Sequence, residues 1–375
     1  MEKIKVIHCG DMHFDTAFYG LTRDKSEQRK EDLRENFGRI IDIAKQEKVD
    51  LILISGDLFD NLSTMKTTID FIIKKLQEIP HIKVFIAPGN HDPYFNKSYY
   101  TMLKWPENVH IFKDEINHVL LPELNTCVYG IGFGNQHEPE SLIEGFSIDR
   151  PELINIMVLH GDVVSSSQLT EYNPITIKQI ENSGLDYLAL GHKHAFTKIN
   201  KNANTSWAYC GTPEGKGFDE LGPKGIIIGE IGKDYINLKF REISKRIYYE
   251  IDVDIRGCLT YEDIKQIITK MTALDKQRQN NLYKIILIGE IEQGFNISTL
   301  IVEEKIKDEF YFVKVIDNTE LKINFEVLAK EYSLLGIFTN NMRSLLENCS
   351  DDNEKKLYED ALKMGLQVLK NEEVK

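Results

Sequence analysis

Cysteine is sparse in this chain. Cys9, Cys127, Cys210, Cys258 and Cys349 are scattered, odd in number and never in a CxxC pair. That argues against a disulfide framework and a zinc–thiolate site, and it fits reduced, buried thiols in a cytoplasmic protein. Long apolar runs are missing too. No stretch approaches the ~18 residues that a membrane span needs, so no membrane association is expected. The start, Met1 to Ile7, runs straight into a strand without an apolar leader core, so no signal peptide is expected. Basic excess is also lacking: 46 Lys and Arg against 59 Asp and Glu leave a formal charge of −13. Such a balance argues against binding nucleic acid by bulk charge, although a local basic face or a metal centre can still attract phosphate. There is no internal repeat and no low-complexity segment.

What is present is a chain of 375 residues with an apolar share of 42 %. That is enough for one large domain with a proper core and a smaller one beside it. Ile4 to His8 reads as a short buried strand. A polar helix is expected from Lys25 to Lys48, where Leu33, Phe37, Ile40, Ile41 and Ala44 recur at helical spacing. Val49 to Ser55 is a second strand. Ser63 is an expected N-cap for a helix whose apolar face is Ile69, Ile72, Ile73 and Leu76. Ile82 to Ala87 is a third strand. Further strands are expected at Asn108–Leu121, Thr126–Phe133, Ile154–Leu159, Tyr187–Leu190, Trp207–Cys210 and Gly225–Ile231, with a short helix over Ile175–Ser183. The loop Gly211 to Lys224 holds four glycines and two prolines. It cannot be a helix or a central strand, and long ordered loops are usually functional.

The pattern changes near Lys245. Strand, helix, strand, helix, strand follow over Tyr248–Val253, Tyr261–Leu274, Leu282–Ile288, Ser298–Lys307 and Phe310–Val315, with no clustered catalytic turn. The expected domains are therefore 1–244, a small α/β cap over 245–324, and a helical segment over 325–375. In the last of these, Leu357, Ala361, Leu362 and Leu369 suggest an apolar stripe, read first as core packing and second as a partner-binding helix.

The chemistry gathers where strands end. Cys9-Gly10-Asp11-Met12-His13, Gly56-Asp57-Leu58-Phe59-Asp60, Pro88-Gly89-Asn90-His91-Asp92, His160-Gly161-Asp162 and Gly191-His192-Lys193-His194 each follow an apolar run. Each alone is a common polar turn; five in this order are not. A mixture of Asp, Asn and His without Cys suits Mn²⁺, Fe²⁺ or Zn²⁺. Two such ions ~3.5–4 Å apart form a usual phosphoester-cleaving arrangement, and a shared carboxylate must hold them that close. Asp57 is the natural bridge. Asp11, His13 and one terminal His would complete one ion, and Asn90, His160 and the other His the second. A bridging water, made hydroxide by both ions, would attack phosphorus. His91, one position out of phase with Asn90, would protonate the leaving group. Asp60 is the expected orienter of His91, with Asp92 the second candidate.

These motifs, GDMH, GDLFD, GNHD, HGD and GHKH, resemble the calcineurin-like metallophosphoesterases over about the first half of the chain. A narrower resemblance, to the SbcD and YhaO-like DNA-repair exonucleases, rests on the GDLFD form, the loop GTPEGKGFDELGPKG (Gly211–Gly225), and the cap followed by helices. The resemblance implies a four-layer α/β/β/α sandwich with a small α/β cap domain and C-terminal helices. It also implies two Mn²⁺ ions, nuclease action on DNA phosphodiesters, a homodimer, and an SbcC-like ATPase partner met through the C-terminal helices. Carried over, Asp11, His13, Asp57 and His194 would bind one metal, and Asp57, Asn90, His160 and His192 the other. One position departs from the pattern. Nucleases of this group often carry His where Asp60 stands; here the motif is similar to the phosphomonoesterase branch, in which that Asp orients the catalytic His.

The leading expectation is thus a metal-dependent DNA exonuclease or endonuclease. A phosphatase or cyclic-nucleotide phosphodiesterase is the alternative, and a DNA-end-binding subunit of an ATPase complex is the reading from another class. A DNA binder needs cations on the site rim. Lys193 and Lys216 are the expected substrate contacts, with Lys224, Arg29, Lys30 and Lys97 as further rim candidates.

Overall fold

The central strands of this chain, such as Leu51–Ile54 and Ile154–His160, read as nearly continuous apolar runs because both of their faces are covered. The computed structural model describes residues 2–60, 64–165, 170–292, 295–322 and 328–369. Ser63, and the point at 325 where the helical segment was expected to begin, lie outside the described residues. In chain order the elements are β1 (Lys3–Cys9), α1 (Arg23–Glu47), β2 (Leu51–Ile54), α2 (Lys66–Gln77), β3 (Lys83–Ile86), α3 (Tyr99–Met102), β4 (Val109–Ile111), β5 (Asn117–Leu121), β6 (Thr126–Gly130), β7 (Ile154–His160), β8 (Asp162–Val164), β9 (Pro174–Thr176), α4 (Ile177–Ser183) and β10 (Tyr187–Gly191). There follow β11 (Asn200–Asn202), β12 (Thr205–Tyr209), β13 (Gly225–Gly232), β14 (Tyr235–Glu242), β15 (Tyr248–Asp254), α5 (Tyr261–Met271), β16 (Leu282–Ile291), α6 (Thr299–Ile306), β17 (Phe312–Leu321), α7 (Leu334–Asn348) and α8 (Asp352–Leu369). No helix among the described residues is long and apolar enough to cross a membrane.

The chain divides into two compact units. The first comprises Met1–Ile251, Thr272–Ile285 and Glu303–Lys314; the second comprises Asp252–Met271, Ile286–Val302 and Val315–Lys375. The first unit is a four-layer α/β/β/α sandwich. One six-stranded sheet has the order β14-β13-β1-β2-β3-β4, and the other β11-β12-β10-β7-β6-β5. Alternate residues of each strand serve different layers. Val6, Leu51, Leu53 and Phe85 face Val128, Ile156, Val158 and Tyr187 of the other sheet. Ile7, Ile52, Ile54 and Val84 face outward, onto Phe37, Ile40 and Ile41 of α1 and Ile72 of α2. Met157, Leu159 and Leu188 face the opposite way, onto Ile180 of α4. The helix α1 stops where Lys48 turns left-handed at φ 53° and donates its N–H back to Lys45 and Ala44 carbonyls.

β1, β2, β3 and β4 are parallel, as are β6, β7, β10 and β12. The turns after the parallel strands of both sheets therefore emerge at the same edge of their sheets, where α/β folds bind ligands.

Three segments differ from the expected pattern. Asn108–Leu121 is not one strand: β4 belongs to the first sheet and β5 to the second, and the charged run around Asp114 and Glu115 carries the chain across. The helix α4 starts at Ile177, where Thr176 forms a capping box with Gln179; the residues before it make β9. β14 is a strand beyond those expected; Ile236, Leu238 and Phe240 alternate with polar residues as on an edge strand. A three-stranded sheet has the order β15-β16-β17. In the second unit α7 and α8 pack through Leu335, Phe338, Leu362 and Leu366. The expected stripe is buried only at Leu362; Leu357 is 65 % exposed and Leu369 36 %. The hairpin between α7 and α8 is short and has one small apolar patch, so most of the stripe stays in water.

Candidate metal centre

The turns after β1 and β2 are laced together. Asp11 N donates to Gly56 O (3.0 Å), His13 N to Asp57 O (2.9 Å) and Phe14 N to Leu58 O (3.1 Å). To do this the backbone takes positive φ at residues other than glycine: 51° at Asp11, 46° at His13 and 49° at Asp57, and 103° at His192 in the turn after β10. Such conformations are costly and cluster at functional sites. Two glycines let the turns close. A Cβ on Gly89 would lie 2.2 Å from Asp57 Oδ1, and one on Gly191 would lie 1.8 Å from Ser55 O.

The structure brings together all seven expected ligand residues. Asp11, His13 and His194 present donor atoms within 4.8 Å of one another, and so do Asp11, Asp57 and His160. Asn90 Oδ1 lies 2.9 Å from His160 Nε2 and 3.2 Å from His192 Nδ1. Asp57 Oδ2 is 3.5 Å from His13 Nε2 and 3.4 Å from His160 Nε2, so it lies between the two groups. Its other oxygen accepts His91 N at 2.9 Å. Asp11, His13, Asp57, Asn90 and His160 are buried, and burial raises the Asp11 carboxyl and drives the His13 imidazole well below its ordinary value.

The ring nitrogens that face away from the centre are engaged. His160 Nδ1 donates to the Ser55 carbonyl (2.9 Å). His13 Nδ1 meets Asp60 Oδ1 at 3.1 Å, His192 Nε2 meets Asp162 Oδ2 at 3.4 Å, and His194 Nδ1 meets Glu220 Oε1 at 2.6 Å. A carbonyl can only accept, so the His160 proton sits on Nδ1 and its Nε2 presents a lone pair to Asn90 Oδ1 and Asp57 Oδ2. With Nδ1–H donated to carboxylates, His13 Nε2 and His194 Nε2 likewise face each other lone pair to lone pair at 3.2 Å. Acceptors converging on acceptors are what a pair of hard or borderline divalent cations would satisfy, and the donor set fits them.

His91 sits at the open side of the ligands, its ring centroid 4.6 Å from that of His13, and with His13 and Asp60 it forms a third group of donor atoms within 4.8 Å of one another. Its side chain is 43 % exposed, with Nδ1 3.2 Å from the Asp60 carbonyl and 3.5 Å from Asp60 Oδ1. Asp60 is thus shared between His13 and His91. Asp92 does not reach His91. It is buried, accepts Gly89 N (2.8 Å), Phe59 N (3.0 Å) and Tyr100 Oη (2.5 Å), and is pushed up to about 7 by burial and then by the charge of Asp57. Its job is to close the turn.

Lys193 is 46 % exposed and lies 3.8 Å from Asp162, whereas Lys216 is mostly buried and paired with Glu220 at 3.7 Å. Two rim candidates are misplaced by the sequence reading. Lys224 is buried with Nζ 3.4 Å from His194 O. Arg29 is fully buried between Asp32 (2.7 Å) and Glu214 (2.8 Å), so neither reaches the rim. Asp162 and Glu220 were missed as contacts of the histidines. The only signals were an acid after His160-Gly161 and another inside the Gly-rich loop.

A sequence model of the calcineurin-like phosphoesterases matches residues 4–196. Among curated proteins, the chain is similar to the uncharacterized metallophosphoesterase YhaO of Bacillus subtilis, 27 % identical over 263 residues that cover 66 % of this chain and 62 % of that one. It is similar to the DNA double-strand break repair protein Mre11 of Saccharolobus solfataricus, 27 % identical over 304 residues covering 76 % of each. It is also similar to the SbcD component of the SbcCD nuclease of Staphylococcus saprophyticus, 26 % identical over 297 residues, 70 % of this chain and 74 % of that one. The match spans less than two thirds of the length of the first of these relatives.

Proposed function

The chain belongs to the calcineurin-like phosphoesterase family, a metal-dependent class, and we propose that it is a two-metal phosphodiesterase acting on DNA as an exonuclease or endonuclease. The observation that carries the two-metal reading is the convergence of acceptor atoms around Asp57 Oδ2, which lies 3.5 Å from His13 Nε2 and 3.4 Å from His160 Nε2. Asp11, His13, Asp57 and His194 would hold one cation; Asp57, Asn90, His160 and His192 would hold the other. Mn²⁺ suits a donor set of carboxylate, amide and imidazole. When bound, the cations supply a water of lowered pKa and neutralise charge on the non-bridging phosphate oxygens.

The side chains do the rest. His91 N holds Asp57 Oδ1, so the turn that presents the ring also fixes the shared carboxylate. The Asp60 carbonyl accepts from Nδ1 of His91, which leaves Nε2 as the nitrogen that gives a proton to the leaving oxygen. The Asp60 carboxylate, 3.5 Å from the same nitrogen, helps to orient the ring. The half-exposed Lys193 amine would meet a phosphate at the rim, and Lys216, closer in, would offset charge beside the ligands.

DNA as substrate is supported by the relatives named for break repair and for nuclease action. Homodimers, and an ATPase partner of the SbcC kind docking on α7 and α8, belong to the same reading; Ile337, Leu345, Leu357 and Val368 leave apolar surface there. A phosphatase or cyclic-nucleotide phosphodiesterase is the second reading, favoured by Asp60 beside His91. An assay with Mn²⁺ decides between them by comparing a labelled DNA strand with small phosphomonoesters and cyclic nucleotides. Cleavage of DNA supports the first reading. Rapid turnover of the small esters with intact DNA would replace it by the second.

A further inference from the structure

The loop from Gly211 to Lys224 carries lysines, yet it turns them inward. Lys224 is buried and Lys216 nearly so, with side-chain exposure of 14 %. What the loop grips is one residue, His194. Thr212 N donates to the His194 carbonyl at 3.1 Å, and Lys224 Nζ reaches the same oxygen at 3.4 Å. Between these two anchors Glu220 places Oε1 2.6 Å from His194 Nδ1. The carboxylate is held in turn: Oε2 accepts Lys216 N at 2.8 Å, and Glu220 N donates to Gly217 O at 3.1 Å. Its side chain is only 7 % exposed.

The base of the loop is fixed from below. Glu214 is fully buried and accepts Lys245 N (2.6 Å) and Arg246 N (3.2 Å) while pairing with Arg29. Arg29 Nη2 also donates to Gly215 O (2.7 Å), and Asn36 Nδ2 donates to Pro213 O (2.7 Å). The Tyr248 hydroxyl donates to Lys216 O at 3.2 Å. A segment this heavily tied is built to hold a position, not to wrap a flexible strand of substrate.

We propose that Glu220 is a positioning residue: through His194 Nδ1 it fixes the tautomer and ring plane that aim Nε2 at the cation shared with Asp11, His13 and Asp57. The inference rests on the two-cation reading. An imidazole whose outer N–H is donated to a carboxylate is the more basic ligand, and loss of such a partner weakens metal binding by ~10–100-fold.

The test uses the full chain, stripped with chelator and titrated calorimetrically with Mn²⁺ alone. The unsubstituted protein binds two ions. Glu220→Ala weakens one of them by ~10–100-fold and leaves the other unchanged. Glu220→Gln, which keeps an acceptor oxygen for Nδ1–H but not the charge, falls between the two. The melting temperature of the metal-free protein falls modestly in both variants, because neither keeps acceptors for both His194 Nδ1–H and Lys216 N–H. Unchanged affinity at both sites in Glu220→Ala would overturn the inference. So would an equal fall at both sites, because that is the signature of a loop that has merely come apart. Fewer than two Mn²⁺ ions on the unsubstituted protein would instead fail the two-cation reading on which the inference rests.

Discussion

Asn90 and His91 are neighbours in sequence with different surroundings. Asn90 is buried against His160 and His192, while the His91 ring stands 43 % exposed beside Asp60. His91 touches Asp57 through its backbone N–H, which any residue but proline keeps. His91→Ala is therefore expected to retain both Mn²⁺ ions while kcat falls by about 10²–10⁴-fold. Calorimetry and turnover measured on the same preparation check it; loss of metal in step with activity would make His91 a ligand. Asp57→Asn should weaken both ions together, because Oδ2 lies within 3.5 Å of His13 and 3.4 Å of His160. One fully retained ion would contradict the bridging role. These residues were legible because each follows an apolar run at a strand end. Glu220 and Asp162 were not, because their partners His194 and His192 lie 26 and 30 positions away and only the folded backbone joins them. Arg29 misled for the same reason. A lysine or arginine on a polar helix reads as solvated, and nothing local shows that Glu214 will meet it.

At the scale of elements, β1 and β10 are joined by a buried polar link. His8 Nδ1 meets the Tyr187 hydroxyl at 2.9 Å and Nε2 meets Ser55 Oγ at 3.0 Å. Burial drives the His8 pKa from 6.5 down to about 3. Between those values the unfolded chain binds the proton and the fold does not, so this group's contribution is complete above pH 6.5 and is lost as pH falls toward 3. Relative to His8→Gln, the unsubstituted protein should lose about 3 kcal/mol of stability between pH 6.5 and pH 4. Urea denaturation at both pH values measures it; a constant difference would contradict it. The elements were legible where the period was strong, as in α1 with its buried Leu33, Phe37, Ile40 and Ile41. They failed where the chain changes layer, as between β4 and β5, because a run of strand-forming residues does not reveal which sheet each half joins.

For the molecule as a whole, a formal charge of −13 gives no net attraction toward a polyanion such as DNA. Affinity should depend on individual amines at the rim, Lys193 first. Lys193→Ala is expected to weaken binding alike for all sequences and to reduce the slope of log affinity against log salt by about 1, the share of one phosphate contact. An unchanged slope would remove Lys193 from the rim. The four-layer sandwich was expected from the resemblance that the five strand-end turns carry, while the pattern by itself shows only apolar strands ending in acid- and His-bearing turns. Substrate is not legible in the same way, because periodicity encodes neither rim charge nor the surfaces beyond the turns. The most direct test is single-turnover cleavage of a labelled DNA strand by chelator-stripped protein as Mn²⁺ is returned stepwise. Cleavage that stays absent through the first equivalent and reaches its full rate with the second is the predicted result; full cleavage at one equivalent, or intact DNA at every Mn²⁺ level, would contradict a two-metal nuclease.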